Sequence, residues 1–317
     1  MKIEQYSFNN ILKNNFFFEK KPKIAVAVSG GPDSIALVFL LSKWIKKNKG
    51  QLIALIVNHQ IRIESKTESK KIKNYLISKN IKSKIININK KNVLKKTMSE
   101  ARNNRFFKML DYCKKNKIFH LFFGHHYNDN LETFMLRKIA GSNFDGLRSI
   151  QKKSIINKIQ ILRPLLSYNK KNILNYNKTN ELFYLQDPSN FNSNYSRVIV
   201  RNFLSNYNNT SVQNDFNLIQ RYHPHYRKMI FQIFHKINTF NSKNQIIVNN
   251  IIFEKINLEI QIKIIEIIYE FLKPKRIKLR YSKVFNALKN IKKKTTNCEN
   301  IAGLKINKSN SSLVFIA

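Results

Sequence analysis

The sequence predicts a parallel α/β domain with helices on both faces of the sheet, followed by a small α+β unit. Three observations carry this. Short apolar runs without polar alternation recur between residues 21 and 185, as in strands buried on both faces. Each run is followed by a segment with a helical apolar stripe, the order of strand–helix–strand crossovers. Beyond residue 216 the order changes to long helices and an alternating terminal hairpin.

The elements follow in order. Ile24–Val28 is the first strand, and Ser34–Lys46 the first helix, with Ile35, Leu37, Val38, Leu41, Trp44 and Ile45 on its stripe. Leu52–Val57 is a strand, Thr67–Lys79 a helix and Lys84–Ile88 a third strand. Ser99–Asn116 is amphipathic through Phe106, Met109, Leu110 and Cys113. His120–Phe123 is a fourth strand, Asn128–Ile139 a helix, Gln160–Leu162 a fifth strand and Lys170–Asn180 a helix. Asn and Ser crowd the segment after 189, and 206–216 reads as a linker. It separates a first domain, 1–205, from a second, 217–317. The second holds helices near Leu218–Ile237, Leu258–Leu272 and Tyr281–Ile291, a strand at Ile246–Phe253, and a hairpin of Ala302–Ile306 with Leu313–Ile316.

The chain has 317 residues, 43% of them hydrophobic, enough for two domains with buried cores. No apolar run approaches the roughly 18 to 20 residues of a membrane span, and Met1–Lys20 lacks the order of a signal peptide. Two cysteines, Cys113 and Cys298, exclude a disulfide framework or a cysteine-rich metal site. A soluble protein of the reducing cytoplasm is expected, with no membrane partner; a homodimer is left open. The formal charge is +40, which favours a polyanionic partner such as nucleic acid. Part of that excess has a plainer source. Abundant Lys, Asn and Ile with scarce Gly and Ala are what an A/T-rich genome imposes, and the charge is spread along the whole chain. The basic runs Lys273–Arg280 and Lys292–Lys294 each read singly as solvated surface.

In a chain with seven glycines, five fall in two short segments. The first strand runs into Ser29-Gly30-Gly31-Pro32-Asp33-Ser34, which opens a helix. Paired glycines allow a sharp turn and close approach of an anion. Pro32 suits the first helical turn, and the N-terminal N–H groups then face a phosphate. Ser29 and Ser34 add hydroxyl donors. Asp33 beside a phosphate implies a bridging Mg²⁺. The spacing fits neither a Walker A loop nor a G-x-G-x-x-G fingerprint.

The second segment begins at the end of the fourth strand: Gly124-His125-His126-Tyr127-Asn128-Asp129-Asn130-Leu131-Glu132-Thr133. Asp129 and Glu132, three apart, share a helix face. Paired acids there bind a cationic substrate or a metal, while His125 and His126 donate to phosphate or orient the reacting group. Helix capping by Asn128 or Asp129 is the plainer reading.

The first loop resembles the pyrophosphatase loop of the N-type ATP pyrophosphatases, the PP-loop superfamily. The second segment, with Arg137 through Gly141 to Gly146-Leu147-Arg148, resembles the tRNA(Ile)-lysidine synthetase family. Further strings are similar to that family's: Val57-Asn58-His59-Gln60-Ile61-Arg62 with Glu64-Ser65, Glu100-Ala101-Arg102 with Arg105-Phe106, Arg163-Pro164-Leu165-Leu166, Asp187-Pro188-Ser189-Asn190, then Tyr195, Arg197 and Arg201. The likeness spans about residues 22–205 in unbroken order. It departs at Asn58, where Asp is usual, at Gln60 for Gly, Ala140 for Arg and Val198 for Asn. Residues 206–317 match no motif, and the chain stops short of the second C-terminal domain of longer members, so RNA recognition is expected to use fewer parts.

The resemblance implies a Rossmann-like, adenine nucleotide alpha hydrolase-like sheet. It also implies a ligase that joins free L-lysine to carbon 2 of the wobble cytidine in minor isoleucine tRNA with a CAU anticodon. ATP and Mg²⁺ would be consumed or used, with AMP and pyrophosphate released. It assigns ATP to Ser29, Gly30, Gly31, Pro32, Asp33, Ser34, His125 and His126, with Asp33 on Mg²⁺. Lysine falls to Asp129 and Glu132, and transition-state charge to Arg105. Arg148, Arg163, Arg197 and Arg201 fall to tRNA, helped by a small basic C-terminal domain. Asn58 and His59 lie either near the nucleotide or in a satisfied polar turn. A tRNA thiolase of the same superfamily and a catalytically inactive RNA-binding protein are the competing readings. The thiolase would need a reactive cysteine or cysteine pair, and decay would not spare scarce acids.

Overall fold

The computed structural model describes residues 2–58, 64–87, 98–186, 196–206, 209–273, 279–292 and 298–317. The expected features at His59–Arg62, Ile88, Asp187–Tyr195, Pro274–Lys278 and Lys293–Lys294 lie outside these residues, as do the side chains of Glu64, Glu100 and Arg102. The chain forms two compact units, Met1–Ile219 and Gln220–Ala317.

In the first unit six strands form one sheet. They are β1 (Lys23–Val28), β2 (Gln51–Asn58), β3 (Ser83–Asn87), β4 (His120–Phe122), β5 (Lys153–Ile156) and β6 (Ile159–Leu162), in the order β3-β2-β1-β4-β6-β5. All neighbours are parallel except β5 and β6. The period of two explains why these strands read as unbroken apolar runs. Ile24, Val26 and Val28 pack into one core with Ala54 and Ile56, while Ala25 and Leu55 face the other.

The first core is covered by α1 (Gln5–Asn15), α2 (Pro32–Lys47), α3 (Glu64–Ser78) and, later in the chain, the helix Lys170–Thr179. The second is covered by α4 (Met98–Lys115), through Met109, Leu110 and Cys113. After β4 come α5 (Tyr127–Ile139) and α6 (Phe144–Leu147). A 3₁₀ turn, Pro164–Ser167, precedes α7 (Lys170–Thr179), and α8 (Ser196–Asn206) packs on α5.

Several features differ from expectation. The strand β5 is added by a tight turn at Asn157 and Lys158, both in the left-handed region at φ 51° and 66°; neither residue is the glycine that usually signals such a turn. The segment 206–216, expected as a linker, enters a 28-residue helix at Thr210: α9 (Thr210–Ile237). Its apolar Phe216 is buried against Leu131 and Phe134 of α5, which the many Asn residues around it concealed. The boundary between the units falls within the α9 range.

The second unit has an antiparallel sheet of β7 (Asn238–Asn241), β8 (Gln245–Asn249), β9 (Cys298–Ile301), β10 (Leu304–Lys308) and β11 (Ser312–Ile316), ordered β7-β8-β11-β10-β9. Helices α10 (Asn250–Glu254), α11 (Leu258–Leu272) and α12 (Tyr281–Lys292) complete it. The expected strand Ile246–Phe253 stops early because the Asn249 side chain accepts the Ile252 N–H at 3.0 Å and starts α10. Ile262, Ile265, Ile268, Val284, Leu288, Ile306 and Phe315 share its core. Among the described residues, no helix is long and apolar enough to cross a membrane.

Candidate active site at the ends of β1 and β4

β1 and β4 are neighbours, yet the chain leaves β1 toward β2 on one side and returns to β4 on the other. Such a reversal opens a crevice at the carboxyl ends of the strands. Both motifs lie there. Gly30 takes φ 90°, and a side chain on it would press on Ile72 at 3.0 Å and Leu185 at 3.2 Å. Gly31 ends the loop as the cap of α2, with Pro32 at its first position. Ser34 Oγ donates to Gly31 O at 2.9 Å and accepts the Ser29 N–H at 3.2 Å. The first-turn amides of α2 are beyond the reach of the helix's own ladder, so the loop presents N–H groups and a positive helix end.

The second motif presses against the first. A Cβ at Gly124 would lie 3.0 Å from the carbonyl carbon of Asp33 and 3.1 Å from the Ser34 nitrogen. A side chain there would crowd both backbones, and glycine lets them meet this closely. Just beyond, His126 caps α5: its Nδ1 accepts the Asp129 N–H at 3.3 Å, and its own N–H donates to Asp129 Oδ2 at 3.0 Å. The other ring nitrogen, Nε2, lies 3.7 Å from Asp33 Oδ1 and 3.6 Å from Asp129 Oδ2, between the two carboxylates.

Charge in the site is tightly arranged. Burial, opposed by Asp129 but reinforced by Arg163, Arg197 and His126, pushes the His125 imidazole down to about 4. Burial works to raise the Asp129 carboxyl, but His126, His125, the His126 N–H and Arg197 outweigh it and hold Asp129 below the usual carboxylate range. Burial lowers Arg163 to about 10. Its guanidinium lies 6.0 Å from the Phe123 ring centre, a ring that in turn stacks on His125.

The expected site residues separate into groups. Ser29, Gly30, Gly31, Pro32, Asp33, Ser34, His126 and Asp129 come together at the crevice. Glu132, expected with Asp129 on lysine, is only 2% exposed and already paired: Arg201 donates from Nε to Oε1 at 2.8 Å and from Nη2 to Oε2 at 3.3 Å. The two acids are three positions apart, but the helix end uses one in its cap and buries the other. Arg201, expected on RNA, therefore has an internal partner. Arg197 donates to Thr133 Oγ1 at 3.2 Å, and Arg163 to Gln151 O at 2.9 Å. Arg148 is half-buried after α6. Arg105 is half-buried on α4, one residue before Phe106, whose ring meets Phe123. Asn58 is buried at the end of β2, accepting from Ser65 Oγ at 3.0 Å and donating to Asn87 at 3.4 Å.

Sequence reasoning missed Lys170 and Asn177. Lys170 Nζ meets both Asp33 oxygens at 2.7 Å. Asn177 donates to Pro32 O at 2.9 Å and fixes α7 to the first turn of α2. One more lysine in a lysine-rich chain carries little signal; its place four residues after Arg163-Pro164-Leu165-Leu166 was the available clue.

Asp33 has the donor chemistry that Mg²⁺ needs, and both its oxygens already face a cation. Among the described residues no cluster of three or more His, Cys, Asp or Glu could hold a metal unaided.

A parallel sheet with a glycine-rich phosphate loop at its switch point defines a nucleotide-binding α/β protein. The PP-loop domain family matches residues 1–207, and the chain belongs to that family. Membership implies ATP binding by this domain. The chain is 39% identical over 207 residues to a tRNA(Ile)-lysidine synthase of Wolbachia pipientis wMel, covering 65% of this chain and 48% of that protein. It is 41% identical over 184 residues to one from a Wolbachia of Brugia malayi, covering 57% and 43%. To that of Orientia tsutsugamushi it is 34% identical over 201 residues, covering 63% and 45%. The chain thus spans about half the length of the curated relatives it matches. The solved structure of a U34-tRNA thiolase, NcsA from Methanococcus maripaludis with its [4Fe-4S] cluster, shares the fold. Its TM-score is 0.58 at 20% identity, over 70% of this chain and 78% of that one.

Proposed function

We propose that this protein joins lysine to the wobble cytidine of an isoleucine tRNA with a CAU anticodon, at the expense of ATP. The observation that carries the reading is the junction of the two motifs, with Gly124 against Asp33 and His126 between Asp33 and Asp129. Relatives named tRNA(Ile)-lysidine synthase support it.

The chemistry proceeds in two steps. The cytidine carbonyl oxygen at carbon 2 attacks the α-phosphorus of ATP and pyrophosphate leaves. The lysine amine then attacks carbon 2 and AMP leaves. The α2 amides with Ser29 and Ser34 hold the departing pyrophosphate. Asp33, together with the phosphates, would hold Mg²⁺, which would supply charge neutralisation. His125, kept neutral by burial and cationic neighbours, serves as a hydrogen-bonding group and not as a charge. Asp129, kept ionised, is the carboxylate suited to lysine's ammonium and places the amine. Glu132 acts through Arg201, fixing α8 on α5. Arg105 is the candidate for transition-state charge. Arg148 and the basic second unit contact RNA, whose unstacked base must enter the crevice; Arg163, Arg197 and Arg201 support the site from within.

The thiolase reading finds less support. Cys113 is buried, its thiol pushed by burial to about 12, and Cys298 belongs to the other unit. The test is incubation with Mg-ATP, radiolabelled lysine and isoleucine tRNA transcript bearing a CAU anticodon. Acid-precipitable label that depends on ATP and on the wobble cytidine, and disappears in Asp33→Ala, is the expected result. AMP release that requires a sulfur donor in place of lysine would overturn the proposal.

A further inference from the structure

The geometry points to Arg137 and Asn130 as positioning residues that grip the returning segment 142–151 and so present Arg148 to RNA phosphate. The inference rests on the RNA-binding part of the proposed function and adds two residues to it. The two grips sit seven positions apart on α5, a spacing that keeps them on one helix face. Asn130 is buried. Its Nδ2 donates to Ile150 O at 3.1 Å, and its Oδ1 accepts the Ile150 N–H at 2.7 Å. Arg137 Nη1 donates to Gly146 O at 2.5 Å and to Ser149 O at 3.4 Å. Arg148 therefore lies between two carbonyls that one guanidinium holds.

This segment needs holding. No residue from Gly141 to Arg148 is fully buried, so apolar packing does little to fix its shape. The chain also turns directly after Arg148. Ser149 takes the left-handed region there at φ 60°, which is uncommon for a residue with a side chain. Its N–H donates to Gly146 O at 3.2 Å, the same carbonyl that Arg137 holds, and its Oγ donates to Leu147 O at 3.1 Å. Earlier in the segment the Gly146 N–H donates to Asn143 Oδ1 at 3.0 Å. Beyond the turn, Gln151 Nε2 donates to Arg148 O at 2.9 Å, and Arg163 holds Gln151 O. Backbone strain kept in place by surrounding bonds is the mark of a loop with a task. A charged donor grips carbonyls more firmly than a neutral one, although burial works against the Arg137 charge. A guanidinium pairs with phosphate through a planar fork, which demands a set approach. An arginine on a fixed backbone loses less freedom on meeting RNA than one on a loose loop, so the grips add to RNA affinity without touching RNA.

The experiment is fluorescence-anisotropy titration of the whole protein with labelled isoleucine tRNA transcript bearing a CAU anticodon, with calorimetric ATP affinity measured beside it. The forms are wild type, Arg148→Ala, Arg137→Met, Asn130→Ala, and the last two each combined with Arg148→Ala. Arg148→Ala should weaken tRNA about tenfold. Arg137→Met and Asn130→Ala should each weaken it about fivefold and leave ATP affinity unchanged. Neither should weaken Arg148→Ala further, because a residue that acts only through Arg148 then has nothing to act on. Arg137→Lys keeps an ammonium for the carbonyls and should restore most of the affinity. Asn130→Ala alters no charge, so its loss cannot come from a weaker attraction of RNA. Losses that multiply in the double variants would make the two residues independent contacts and overturn the inference. Unchanged tRNA affinity in Arg148→Ala, or an equal loss of ATP affinity in Arg137→Met, also overturns it. Should a variant melt early, Arg137→Gln and Asn130→Ser make the same comparison in the cold, where melts show every form folded. Tight tRNA binding without lysine ligation would sink the proposed function, while the same affinities would still decide this inference.

Discussion

Replacing Arg201 by methionine strands a carboxylate. Glu132 is almost wholly enclosed, and the guanidinium meets both of its oxygens, at 2.8 and 3.3 Å. The Arg201 side chain itself is 42% exposed. The two partners are therefore unequal. Losing the arginine leaves a buried charge without compensation, a cost of about 3 to 5 kcal/mol. Losing the charge of Glu132, as in Glu132→Gln, leaves a guanidinium that water can reach and a carbonyl that still accepts, a cost of about 1 kcal/mol. The double variant Arg201→Met/Glu132→Gln should be more stable than Arg201→Met alone, because the stranded charge is gone. Urea unfolding followed by tryptophan fluorescence reads this directly, since the single tryptophan, Trp44, lies in the core of the same unit. Equal losses in the two single variants, or no recovery in the double, would refute the argument. Loss of tRNA binding at unchanged stability in Arg201→Met would make Arg201 the RNA contact that its motif implies.

Other outcomes follow from the same geometry. His125 is neutral in the fold and takes its proton only near pH 4, against about 6.5 unfolded. Its contribution is complete above pH 6.5 and falls away between 6.5 and 4, by about 3 kcal/mol; the depressed Asp129 adds loss of the same sign at lower pH. Stability curves of wild type and His125→Asn should converge as pH drops through that window, and parallel curves would contradict the burial of a neutral ring. Gly124→Ala should cost about 1 to 3 kcal/mol and weaken ATP at least tenfold, read by thermal melts and calorimetry, because its methyl meets backbone on Asp33 and Ser34. Thiol titration should find one reactive group in the native protein, Cys298, and two in denaturant, since Cys113 is buried with its thiol raised.

The parallel strands, the crevice and most of the loop that faces it are legible in consecutive residues. Strands buried on both faces must be apolar throughout, so β1, β2 and β4 announce themselves. A phosphate loop needs glycine where a side chain would collide, and in a glycine-poor chain Gly30, Gly31 and Gly124 stand out. These are local constraints, written in consecutive residues. The tertiary structure alone decided which charges are spent on one another. Asp129 and Glu132 look alike three residues apart, yet one is held by His126 at a helix cap and the other by an arginine 69 positions away. Lys170 and Asp33 are 137 positions apart, and nothing local to either marks the pair. Long-range partners are chosen by how α7 and α8 pack on α2 and α5. The linker fails to show for the same reason: Phe216 commits Thr210–Ile219 to helix through contacts with α5 that no window of sequence contains.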